Sequence, residues 1–251
     1  LITLAFQGRL HLIMACSPRQ NITSALLGLV NPFIYYIVFF KAYSLLPAQE
    51  AQPLNQTWAI ILSVLSYVLL KQRFTMKSLT ALFISFAGVV IISTHGDLLT
   101  LSFSNLPGAL LALGSAFFWA VFWLFNIKDR RDPVVTLTLN FLFGATYILI
   151  FSLITGTITL PSWSGLLGAV YVGAFEMGIT FVFWLKALQL SRSTARISNV
   201  IYLVPFLSLV VIRLTVGEII RVSTVIGLCF IIGGIILQHY ASTARSRPSA
   251  G

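Results

Sequence analysis

Long apolar stretches alternate with short polar ones along almost the entire chain. Eight of them, at 22–44, 47–70, 76–95, 105–127, 133–155, 165–187, 194–217 and 221–240, are nearly free of charge. Each is roughly 20 residues long, enough for a helix to cross ~30 Å of hydrocarbon. The alternation expected of barrel strands is absent, and the runs are about twice strand length. The pattern predicts an all-α polytopic membrane protein whose sequence neighbours pack antiparallel, because the connections between runs are short. Residues 1–6 (LITLAF) read as the tail of a further helix, so an incomplete N-terminus is expected.

Composition sharpens this picture. Hydrophobic residues make up 58% of the chain and charged residues 9%, whereas a soluble domain carries about 25% charged residues. The net charge of +10 would suggest nucleic acid in a soluble protein, but here the basic residues sort by side. Arg19, Lys71, Lys128, Lys186, Arg245 and their neighbours fall in one set of alternate connections; Lys41, Arg213 and Arg221 fall in the other, with Arg9 unassigned. By the positive-inside rule the basic side faces the cytoplasm. The expectation is a multi-pass protein of the cell inner (cytoplasmic) membrane with a cytoplasmic C-terminal tail at 241–251, and no nucleic-acid partner. Cys16 and Cys229 lie far apart, and His11, His95 and His239 are scattered. Neither a disulfide framework nor a metal site is expected.

The two halves of the chain match. VFFKAYSLL (38–46) aligns with FWLKALQLS (183–191) at a separation of 145, and ALFISFAG (81–88) with GLCFIIGG (227–234) at 146. This divides the chain into a first repeat at 1–96 and a second at 105–240. One repeat unit would hold five spans if the start of the chain supplies one and a half more. An odd number of spans turns successive repeats upside down, which is a transporter signature with the solute site near the midplane.

These stretches also carry a family resemblance. ALQLSRSTARISNVIYLVPFLSLVVIRLTVGE (187–218) and GLCFIIGGIIL (227–237) resemble the second repeat of EamA-type transporters of the drug/metabolite transporter superfamily. AYSLLPAQEAQPLNQTWAIILSVLSYVLLKQRF and FISFAGVVIIS resemble the first more loosely. The resemblance implies ten helices in a 5+5 inverted repeat, of which eight complete ones and a partial one are present here. It also implies alternating-access transport of small metabolites, often amino acids. The family often has Glu then Arg at the end of the fourth and ninth helices; Glu218 keeps the acid, but the first copy reads Gln72-Arg73.

Polar groups inside the apolar runs mark the candidate path. Glu176 lies near the middle of GAVYVGAFEMGITFVFW, where a charge costs ~2.5–3.5 kcal/mol, so it needs a cavity or a partner. Its mate in the first repeat is Asn31, followed by Pro32, with Tyr35 one turn on. Each is read either as part of a central solute or proton site or as a hydrogen bond that glues helices. Thr194, Ser198 and Tyr202 form one stripe at helical spacing, which is either a solute-facing helix entrance or a cap. LPAQEAQPLNQTW (46–58) is the inverted counterpart: Gln49, Glu50, Gln52 and Gln56 are read as an outer mouth or as a satisfied cap. Trp119, one turn after Ser115, either lines a pocket or faces lipid. Trp58, Trp163 and Trp184 are read as interfacial belt residues. Ala169 and Gly173 are read as a close-packing pair, Asn140 as helix glue, and Asp129 and Asp132 as charge balance.

No Gly-rich phosphate loop, HExxH or serine elbow occurs. The expected function is therefore secondary transport of a small metabolite, an amino acid or related solute, with proton coupling through Glu176, no cofactor and no catalysis. A nucleotide-sugar or lipid-linked sugar translocator is the neighbouring alternative; a membrane scaffold or intramembrane enzyme is the alternative from another class. The sequence leaves oligomeric state open.

Overall fold

A computed structural model of the chain describes Leu4, residues 8–46, Ala51, residues 54–71, residues 75–94, Gly96, residues 105–191, residues 193–203, Leu207 and residues 222–243. All regular structure among these residues is helical. The principal helices are α1 (Pro18–Leu45, bent), α2 (Trp58–Leu70), α3 (Met76–Ser93), α4 (Leu106–Lys128), α5 (Pro133–Thr155), α6 (Trp163–Leu190, bent), α7 (Thr194–Val200) and α8 (Val222–Thr243). Four of them, α1, α4, α5 and α6, are long and apolar enough to cross a membrane, and shorter apolar helical stretches run over Leu54–Leu70, Met76–Ile91 and Val225–Gln238. Much of the expected span at 194–217, and Gln49, Glu50 and Gln52, lie outside the described residues.

Helix ends follow local chemistry rather than hydropathy. α1 starts at Pro18, before the apolar run at 22, because Ser17 and Gln20 form a reciprocal capping box with proline in the first turn. The Ser17 amide donates to Gln20 Oε1 at 2.8 Å and the Gln20 amide to Ser17 Oγ at 3.3 Å. α5 opens in the same way: Asp132 Oδ1 accepts from the amides of Val134 (2.8 Å) and Val135 (3.4 Å), with Pro133 next in line. It closes at Gly156, whose φ of 65° admits a Schellman turn in which the Thr157 amide donates to Ser152 O.

The chain divides into two compact units, Leu1–Ile37 with Phe122–Leu190, and Val38–Val121 with Ser191–Gly251. Each takes material from both sequence repeats, and α1 and α4 contribute to both. Compactness in space and repetition in sequence are thus different divisions of this molecule.

In the first unit α5 lies against α1 with no room for side chains at the crossing. A Cβ added to Gly28 would collide with Asn140 O and approach the Gly144 amide nitrogen to 2.8 Å, and one on Gly144 would strike the Pro32 ring. This close approach is what small residues allow in a bilayer, where packing rather than water drives helix association. The pair expected at Ala169 and Gly173 does not serve this purpose: both are exposed, and a Cβ on Gly173 meets nothing. Asn140 does join helices, its Nδ2 donating to Asn126 Oδ1 at 2.9 Å.

The two aspartates between α4 and α5 do more than balance charge. Asp132 caps α5 and accepts from Arg9 at 3.0 Å, which places Arg9 at the basic end of this unit. Partial burial would raise the Asp132 carboxyl, but the hydrogen bonds from Arg9, Val134 and Val135 outweigh it and hold the group below the usual carboxylate range. Asp129 chelates Arg131 through both carboxylate oxygens, and Arg131 Nη2 also donates to Ser24 Oγ at 2.8 Å. Burial alone would lower the Arg131 guanidinium; Asp129 and the Cys16 sulfur reverse that and raise it.

In the second unit α3 and α8 meet in a reciprocal way. A Cβ on Gly88 would strike Gly227 O, and one on Gly234 would come within 2.6 Å of Ala81 O. Gly227 and Gly234 stand 146 residues after Ala81 and Gly88, so the two contacts are the same contact exchanged between helices. Between them Ser85 Oγ donates to Ile231 O, again 146 residues apart, at 3.3 Å. A local two-fold relation between α3 and α8 produces this pattern.

Candidate functional site

Two helices lose regular α geometry in mid-course, in both cases within the first unit. α1 passes through a π-type segment at Leu29–Ile34, where Asn31 is extended (φ −148°, ψ 121°) and Pro32 has no amide to donate. α6 widens into a π-type segment at Val172–Thr180, and the Thr180 hydroxyl donates five residues back to Phe175 O at 2.8 Å. Shifting residues 29–34 by the repeat offset of 145 gives 174–179, inside the second segment. The two π-type segments therefore fall at matching repeat positions. π-type turns inside α-helices recur at functional sites.

Each break carries one of the expected polar residues. Asn31 is fully buried, and neither Nδ2 nor Oδ1 has a partner among the described residues. An amide left so costs about 1–3 kcal/mol. This argues against the glue reading for Asn31. Glu176 is exposed on α6, whose residues 163–176 are open throughout, whereas Phe181, Leu185 and Leu188 farther along are buried. Tyr36, on the α1 turn after the break, is an electrostatic neighbour of Glu176. Sequence reading selected Tyr35 instead; that ring is buried and packs edge-on against Tyr36 with centroids 4.9 Å apart. The signal for Tyr36 was present in the sequence only as its place beside Tyr35.

The second unit holds a separate polar set where α2 meets α7. Thr194, Ser198 and Tyr202 are all fully buried. The Tyr202 hydroxyl reaches Gln56 O at 3.5 Å, another pair 146 residues apart. Gln56 is 8% exposed, and its Oε1 accepts from Trp58 Nε1 at 3.1 Å. That bond corrects the belt reading of Trp58: the indole is buried, held by an acceptor two residues back, and packs edge-on against Trp119 at 6.4 Å. Trp163, by contrast, is 74% exposed, as a belt residue should be. Ser115 beside Trp119 is already satisfied, accepting from Asn55 Nδ2 and donating to Ala112 O. Sequence reading missed Asn199, which is fully buried with both amide atoms unpartnered among the described residues, next to Ser198, whose hydroxyl also lacks a partner among them. Asn199 follows Ala195 by one helical turn, so the stripe was one column wider than it was drawn. Among the described residues no three His, Cys, Asp or Glu side chains gather to hold a metal ion.

The sequence profile of the EamA-like transporter family matches residues 1–94 and 106–238. The chain belongs to the EamA-like transporter family. Among curated relatives, an uncharacterized transporter of Clostridium kluyveri is 28% identical over 231 residues, covering 88% of this chain and 73% of its own. The uncharacterized transporter YvbV of Bacillus subtilis is 24% identical over 228 residues, with 89% and 73% covered. One from Acidianus ambivalens is 29% identical over 220 residues, with 84% and 82% covered. A solved structure, titled only as a protein crystal structure, superposes with a TM-score of 0.80 over 96% of this chain and 83% of its own, at 19% identity. That likeness shows a shared fold. This EamA-family chain is thus a multi-pass membrane protein with a transporter role.

Proposed function

We propose that this protein is a secondary transporter that moves a small metabolite, an amino acid or related solute, across the cytoplasmic membrane by alternating access. The observation that carries the reading is the pair of helix breaks at matching repeat positions, each with a polar residue at its centre. Interrupted helices of inverted repeats supply solute sites near the bilayer midplane in many secondary transporters. Here Asn31 supplies an uncommitted amide, Tyr36 a hydroxyl and Glu176 a carboxylate. A zwitterionic solute suits that set: its ammonium faces Glu176, and its carboxylate accepts from Asn31 Nδ2 and the Tyr36 hydroxyl. Protonation of Glu176 removes the counter-charge of the ammonium and releases the solute, which couples transport to a pH gradient. The five-plus-five inverted architecture and a cytoplasmic basic side with a cytoplasmic C-terminus belong to the same proposal. The gathering of cations at one end, now with Arg9, supports that orientation.

The test is uptake into proteoliposomes across a panel of amino acids, with and without an imposed pH gradient. Wild type carries at least one solute faster with the gradient. Glu176→Gln keeps exchange but loses the pH effect, and Asn31→Leu loses uptake while remaining as heat-stable as wild type. No flux for any member of the panel, or an unchanged pH effect in Glu176→Gln, overturns the reading.

A further inference from the structure

At the basic end of the first unit, the start of α1 and the end of α4 line an open cleft of about 380 Å³. That volume falls within the roughly 300–1,000 Å³ of small-molecule sites. Its wall holds four cations, Arg19, Lys128, Arg130 and Arg131, against one carboxylate, Asp129. That carboxylate is already committed: it lies 2.6 Å from Arg131 Nη2, with both groups largely buried. Arg131 and Asp129 therefore form a fixed, neutral floor, tied to α1 through Ser24. Arg19, Lys128 and Arg130 share the lining with it, exposed and without an ion pair among the described residues. The Lys128 ammonium lies over the Phe125 ring, 5.9 Å from its centroid, which leaves its charge unneutralised.

The residues beneath the cavity are apolar. Ile22 and Leu26, one and two turns along α1 from Arg19, are 61% and 58% exposed, and Phe125, which lines the cavity from α4, is 43% exposed. Cations at the membrane surface therefore stand directly over a greasy descent into the bilayer. Loose positive-inside anchors would not need to share one cleft, nor an internal ion pair that occupies its one acid. We propose that this cavity binds the phosphate-bearing headgroup of an anionic phospholipid, with the acyl chains lying along Ile22, Leu26 and Phe125. Basic pockets between spanning helices hold such headgroups by the same electrostatics. Phosphate oxygens accept from Arg19 and Arg130, and Lys128 adds a point charge.

The experiment is native mass spectrometry of the detergent-purified, delipidated protein, titrated with phosphatidylglycerol, with phosphatidylcholine, or with inorganic phosphate alone. Wild type retains phosphatidylglycerol in preference to phosphatidylcholine. The triple variant Arg19→Gln/Lys128→Gln/Arg130→Gln loses ~100-fold in that affinity, from roughly five-fold for each surface cation. A control triple elsewhere, Lys41→Gln/Lys77→Gln/Lys186→Gln, keeps it. Should the first triple fail to fold, Arg19→Gln and Arg130→Gln alone each read a roughly five-fold loss. Equal retention of the two lipids, equal affinity in triple and wild type, or full occupancy by inorganic phosphate with no gain from lipid overturns the proposal. Transport is not measured, so the outcome is independent of the proposed solute.

Discussion

Substituting Gly28 by alanine sets two effects of opposite sign against each other. In a helix interior alanine is favoured over glycine by ~1 kcal/mol, so propensity alone predicts a gain. The structure predicts a loss. The new Cβ would overlap Asn140 O and sit 2.8 Å from the Gly144 nitrogen and 3.1 Å from Phe143 Cβ. Two of these obstacles are backbone atoms and cannot rotate away, so α1 and α5 must separate. Overpacking of this kind costs ~1–3 kcal/mol, and a backbone collision belongs near the top of that range. Subtracting the propensity gain leaves a net loss of about 2 kcal/mol. Gly168→Ala and Gly114→Ala are the controls, because a Cβ at either position meets nothing within 4 Å. They should be neutral or stabilising by up to ~1 kcal/mol. Unfolding of the purified protein in mixed micelles, followed by tryptophan fluorescence against SDS mole fraction, measures all three. A Gly28→Ala protein as stable as wild type or more so refutes the close-packed crossing that seats the Asn31 break.

Two further outcomes follow from other parts of the molecule. Asp132→Asn keeps a capping oxygen but loses the charge that pairs with Arg9, a half-exposed contact worth ~0–1 kcal/mol. Because the Asp132 carboxyl is held low in the folded protein, its contribution is complete above the unfolded carboxylate range and is lost as pH falls through the folded value. The stability gap between wild type and Asp132→Asn should thus be constant near neutrality and close below about pH 4, as read by the same unfolding assay; a gap that widens in acid contradicts the assignment. Hydrogen exchange should separate the breaks from the seam. Amides at 29–34 and 172–180 exchange faster than those at 81–88 and 227–234, and equal protection would remove the breaks as sites of bending.

Hydropathy located the spans because insertion in a bilayer depends on length and apolarity, which are local and additive. The start of α1 was also legible, in the Ser17-Pro18-Arg19-Gln20 box, but a hydropathy window overlooks it. Pro32 announced the first break. The second has no proline, and Gly173 and Gly178 beside Glu176 are weak signals among so many membrane glycines. Only the repeat offset marked its depth. The Arg131 cluster was legible only in part: Asp129 is a neighbour two residues away, but Ser24 and Cys16 join it through tertiary packing. Trp58 was misread because an aromatic at the edge of an apolar run suggests the interface unless an acceptor such as Gln56 is known to face the indole.

The 145–146 residue offset has two different consequences in three dimensions. In α3 and α8 it becomes a seam, with Gly88 on Gly227, Gly234 on Ala81 and Ser85 bonded to Ile231 O, and no space between the backbones at either glycine crossing. Such a contact transmits force and cannot open by small steps, because close-packed interfaces deform little before they come apart. In α1 and α6 the same offset becomes a pair of interruptions, where backbone hydrogen bonds are already missing or re-routed and further bending sacrifices few of them. A transporter that changes shape needs both kinds of element, one to keep its register and one to yield. The polar residues that sequence symmetry singled out, Asn31 and Glu176, lie on the yielding pair. Under the proposed function, a solute held by them acts on the helices whose bending admits and releases it.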